Sequence, residues 1–175
     1  MGMRVKVDEE YWAALKRHTG TRDRSAPFAV MLMVAALLGD DKVKASWAAF
    51  EPADTPATWS VFVVTADRLL YAKLKFDAEA YDFDTENQRP GVVSAPTTLE
   101  VAWARRLTDV VRLEIGKYGA GYERGPRDWF PVGGVHLIFS DSTDVDLLID
   151  QTKSYDTDRS RSDDFIEAVR AGAGL

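Results

Sequence analysis

The sequence predicts an α+β fold: two helices, then seven short antiparallel strands, then one last helix. Three observations carry that expectation. Apolar residues are spaced as in helices up to Gly39, the pattern changes to alternation from Lys42 onward, and several links between alternating segments are short enough to make neighbours antiparallel. The 175 residues, 46% of them hydrophobic, can fill one domain of ordinary size, or one domain with a small appendage. The boundary is expected between a helical pair over residues 1–41 and a β-rich domain over residues 42–175.

Local signals mark the helices. Asp8 can cap the first, Glu9 and Glu10 suit the positive end of its dipole, and Lys16, Arg17 and His18 suit the negative end before Gly20. Tyr11, Trp12 and Leu15 form its apolar stripe. Ser25 is the expected cap of the second helix, with Pro27 in its first turn and Gly39 at its end. Phe28, Val30, Met31, Leu32, Met33, Val34, Leu37 and Leu38 surround that helix with apolar groups, so it should be buried on most sides. A homodimer, or a stable complex with a protein partner, through this 26–38 helix is therefore expected.

Seven segments read as strands: Ala45 to Phe50, Trp59 to Thr65, Leu69 to Phe76, Leu99 to Arg106, Val110 to Gly116, Val135 to Ser140 and Val145 to Asp150. Leu70, Ala72, Leu74 and Phe76 should face in and Tyr71, Lys73 and Lys75 out; Val111, Leu113 and Ile115 should face in against Arg112 and Glu114. The last helix should start after Ser162, over residues 163–171, with Asp163 and Asp164 in its first turn, Phe165, Ile166 and Val169 as its stripe, and Gly172 past its end.

Seven antiparallel strands followed by one amphipathic helix is the order of a pleckstrin-homology-like barrel. The stretch from Thr65-Ala66-Asp67-Arg68-Leu69-Leu70-Tyr71 through Val101-Ala102-Trp103-Ala104-Arg105-Arg106-Leu107-Thr108-Asp109-Val110 to Phe165-Ile166 resembles bacterial members of that superfamily. The resemblance is one of topology over residues 42 to 172, and the helix pair is an addition to it. It implies a seven-stranded barrel closed at one end by the C-terminal helix, and a binding role rather than catalysis. Phosphoinositide-binding members carry basic residues around the first inter-strand loop. Here Glu51 to Thr58 holds two acids and no base, so no phosphoinositide site is expected.

Charge and motifs narrow the function. A net charge of −6 with pI near 5.0 gives no overall attraction for nucleic acid or anionic lipid. Cysteine is absent, which removes disulfides, thiolate metal sites and cysteine nucleophiles. The apolar run ending at Gly39 would span about 20 Å, short of a bilayer core, and lacks the cationic face of an interfacial anchor. A cytoplasmic protein without membrane contact is the expectation. Phosphate loops and nucleophile elbows are missing. His18 and His136 lie far apart in sequence, and Asp141, Asp144, Asp146 and Asp150 do not follow calcium-loop spacing. No catalytic residue, metal site or cofactor is expected.

Two long connections stand out against the short links. One, from Asp77 to Thr98, is acidic with Tyr81 and Phe83 in it. The other, from Gly116 to Gly134, interleaves Tyr118, Tyr122, Arg124, Arg127, Trp129 and Phe130 with glycines. Tyrosine, tryptophan and arginine dominate binding hot spots, so these six residues are the expected contact for a protein or peptide partner. Two other readings stay open: a small enzyme using carboxylates around 141–150, and peripheral membrane attachment through the 26–38 helix.

Overall fold

The computed structural model describes residues 8–52, 56–77, 97–119, 130–153 and 156–175. It is α+β, and the chain divides into two compact units, residues 1–105 and 106–175.

The first unit holds α1 (Glu9–Thr19), α2 (Phe28–Leu38), β1 (Ala45–Glu51), β2 (Ala57–Val64), β3 (Arg68–Phe76) and β4 (Thr97–Arg106). Asp8 caps α1 as expected, its carboxylate accepting from the Glu10 N–H at 2.9 Å. The expected cap of α2 is corrected. Pro27, not Ser25, occupies the N-cap position, with no side-chain cap bond; its ring presets the backbone, and its C=O takes the Val30 and Met31 N–H groups. At the other end Gly39 stops α2 at φ +60°, a conformation that suits glycine, and Arg68 donates to the Leu38 carbonyl and to Asp41.

The sheet runs β1-β2-β3-β4, antiparallel between β1 and β2 and between β2 and β3. All of β2 is buried. Trp59, Val61 and Val63 join the core under the helices, together with Val30, Val34 and Leu38 of α2 and Leu70, Leu74 and Phe76 of β3. Phe62 stacks on Tyr71 on the other face at 4.3 Å, and Trp103 meets Tyr71 edge-on. The alternation of β3 is as expected, with Leu70, Ala72, Leu74 and Phe76 buried and Tyr71, Lys73 and Lys75 half-buried. Lys73 and Lys75 both pair with Glu100 of β4.

The second unit holds a single 3-10 turn (Leu107–Asp109), β5 (Val110–Tyr118), β6 (Val132–Phe139), β7 (Asp144–Asp146) and α3 (Asp156–Ala173). Its antiparallel sheet runs β5-β6-β7. Val135, Leu137 and Phe139 of β6 are buried with Leu107, Val110, Leu147, Ile149, Phe165 and Val169.

Four boundaries differ from expectation. β7 ends at Asp146 because Leu148 turns to φ +56° and gives its N–H to the Asp146 carboxylate. α3 begins at Asp156 rather than after Ser162. Ser162 is buried within it, accepting from Gln151 Nε2 and donating to the Arg159 carbonyl. Gly172 lies inside α3, where a Cβ would collide with Leu107, and Gly174 at φ +74° stands beyond the helix end. The inward face of β5 is the fourth. Leu113 and Ile115 share the face of Leu137 and Val135, yet Leu113 is only half-buried and Ile115 and Val111 are 51% and 54% exposed. A strand at a sheet edge has neighbours on one side only.

The seven expected strands are all present, but no strand of one sheet pairs with a strand of the other among the described residues. Hydrogen bonding therefore does not close them into one barrel.

Candidate functional site

The six residues expected to touch a partner fall into two groups. Tyr122, Arg124, Arg127 and Trp129 lie outside the described residues, as do Tyr81 and Phe83 of the acidic connection. Tyr118 ends β5 and Phe130 precedes β6, and the fold brings them together: their rings meet edge-to-face at 6.3 Å. Both are exposed, Tyr118 by 76% and Phe130 by 62%, so this pair is not a plug over a core. Val111 and Ile115 are further exposed apolar groups of the same strand, Ile115 on the face opposite to Tyr118.

The edge of β5 has a defined polarity. Val135 and Phe139 bond toward β7, the Val135 carbonyl accepting from the Leu147 N–H and the Phe139 N–H donating to the Thr143 carbonyl, so by alternation His136 and Ile138 direct their main chain at β5 and their partners Glu114 and Arg112 direct theirs at β6. Leu113 and Ile115 direct theirs to the open edge. The side chains of Arg112 and Glu114 pair on the outer face at 2.7 Å.

The charged groups of the β6–β7 hairpin are each engaged locally. His136 Nδ1 stands 2.8 Å from Asp144, and its pKa is raised by that hydrogen bond, against partial burial and with help from Asp146 and Glu114. Asp141 takes the Thr143 N–H and Asp146 the Leu148 N–H. Burial pushes the Asp150 carboxyl up, but Lys117 at 2.7 Å, with Thr152 and Lys153, overrides it and holds the group down to about 2. Among the described residues no hydroxyl nucleophile hydrogen-bonds to His136, and no three acidic or imidazole side chains converge as metal ligands. His18, expected at the surface, is half-buried and bonds Ser46 of β1 at 3.0 Å.

One cavity was not anticipated. A cleft of about 510 Å³ opens in the first unit beside the last turn of α1. Its apolar side is Phe50, Trp59 and Phe76, with ring centroids 5.5 to 6.4 Å apart. Its rim carries Lys16, Arg17, Arg22 and Arg24 against one carboxylate, Asp23. Each of these residues has an ordinary reading in sequence: basic helix end, linker, strand core. Only the pairing of Phe50 with Trp59 and of Ala57 with Phe76 brings the three rings together.

No family profile, curated protein or solved structure matches this chain. Among the described residues no helix is long and apolar enough to cross a membrane.

Proposed function

We propose that the chain is a non-catalytic interaction module of the pleckstrin-homology-like kind, whose partner adds along the open edge of β5. The order of seven strands followed by a final amphipathic helix supports the family reading. The observation that carries the interaction is the state of β5: from Val111 to Tyr118 no residue is buried, and Val111, Ile115 and Tyr118 are exposed apolar groups on an edge that is unpaired among the described residues. An edge of this kind accepts an extended segment, with main-chain bonds giving affinity and alternate side chains giving register. Tyr118 and Phe130 anchor the end of that surface, and Tyr122, Arg124, Arg127 and Trp129 belong to the connection between them.

The partner that fits this edge is a second copy. An antiparallel pair centred on Leu113 sets Leu113 against itself and Val111 against Ile115 of the other copy. On the outer face it sets Arg112 against Glu114, twice by symmetry. The central Leu113 pair is then hydrogen-bonded, with Cα atoms about 5.5 Å apart, within the range that a disulfide can bridge. α2, the expected dimer contact, offers less: β2, β3 and α1 pack against it, and only Leu32, at 37%, is exposed on it. A strand pair buries less than a standard interface, so association should be weak, about micromolar or above.

The chain has no cysteine, which makes the test direct. Leu113→Cys should form a disulfide-linked dimer under mild oxidation, while Lys117→Cys, placed far from its own copy in this register, should not. Equal cross-linking of both variants, or of neither, contradicts the register.

A further inference from the structure

We infer that the cleft beside α1 is a binding site for a small organic anion with an apolar body, of the class of aromatic carboxylates and sulfonates. It lies within the first unit and does not depend on the interaction reading. Its volume, about 510 Å³, lies within the range of small-molecule sites.

Two features define the ligand. The first is the apolar side. Phe50, Trp59 and Phe76 form an apolar wall, their rings tilted 41° to 53° to one another, and the Arg24 guanidinium lies over Phe50 at 4.7 Å. Trp59 Nε1 donates to the Thr19 carbonyl at 3.0 Å and its ring is buried, so a ligand's ring meets chiefly the half-buried Phe50 and the Arg24 plane.

The second is the sign of the rim. Four cationic side chains face one carboxylate, within a chain whose net charge is −6. A helix C-terminus would ordinarily counter that field through its open carbonyls. Here the carbonyls of Leu15, Lys16 and Thr19 accept from the Thr19 hydroxyl, the Gly20 N–H and Trp59 respectively. Arg22 pairs with Asp23 at 3.9 Å, so the potential at the mouth rests chiefly on Arg17 and Arg24, and an anionic group there is favoured. A bare anion would miss the apolar side, and a neutral ring would miss the rim.

The test uses 1-anilinonaphthalene-8-sulfonate, followed by its fluorescence, beside the neutral N-phenyl-1-naphthylamine. The sulfonate should bind the folded protein at one saturable site, about tenfold tighter than the neutral compound, with the difference shrinking at about 0.5 M salt. Arg17→Glu combined with Arg24→Glu should weaken the sulfonate about tenfold or more and leave the neutral compound little changed. Ile115→Asp, which removes exposed apolar surface on β5, should leave sulfonate binding intact. Absence of saturable binding, equal affinity for the two compounds, or indifference to the rim substitutions overturns the assignment. Should the rim variant fail to melt cooperatively, the comparison of the two compounds and its salt dependence on the natural chain decide alone.

Discussion

Individual side chains set the pH response. His136 has a folded pKa above 6.5, because its ionised ring is held by Asp144 and faces Asp146 and Glu114. Its contribution is therefore fully present below that value and is lost as pH rises through the folded pKa. His136→Gln should destabilise the chain at about pH 5.5 and change little at about pH 8.5 in chemical denaturation, by less than about 1 kcal/mol, since the pair is partly exposed. Asp150 has the opposite sign. Its carboxyl titrates at about 2 instead of 3.8, so its contribution is present above 3.8 and disappears as pH falls toward 2. Asp150→Asn should cost at most about 2 kcal/mol at neutral pH and approach nothing near pH 2. Ser60 is a different case, a wholly buried hydroxyl on β2 with no hydrogen-bond partner among the described residues. Ser60→Ala should be neutral or stabilising by up to about 1 kcal/mol, and an equilibrium unfolding curve reads it. None of these pairings was legible in the sequence. His136 and Asp144 meet only because the hairpin sets Asp146 opposite His136, and Lys117 meets Asp150 across two strands.

Elements were more legible where local chemistry decides them. Asp8 with Glu9 and Glu10 start α1, Gly39 ends α2, and the alternation of β3 survives intact, because capping and a core-facing strand are properties of short windows. Gly39→Ala should cost about 1 to 3 kcal/mol, since the backbone there disfavours a side chain even though the space is open. What local windows missed has a common cause. Ser25 precedes a proline that already begins the helix, and Ser162 is a good cap residue drawn into a longer helix by its bonds to Gln151 and Arg159. The exposed face of β5 depends on which strands become edges, and that is fixed by pairing rather than by alternation.

For the whole molecule, the sequence conveys class and strand number, while the division into a four-stranded and a three-stranded sheet, and the cleft assembled from three strands and a helix end, arise from long-range register. Of the six aromatic and basic residues of the Gly116 to Gly134 connection, the fold brings Tyr118 and Phe130 together beside β5. The six did not show that the strand beside them is itself open. The central claim is that this open strand joins a second copy in the register centred on Leu113, with Arg112 opposite Glu114. Light scattering at about 100 µM, chosen for an interface of strand-pair size, should find dimer in the natural chain. Arg112→Glu alone and Glu114→Arg alone should each be monomeric, because each sets like charges opposite one another. An equal mixture of the two variants should dimerise again, since the mixed pair restores both opposite-charge contacts. Dimers in both single variants, or a mixture that stays monomeric while the natural chain dimerises, or a natural chain that is monomeric, would contradict the account.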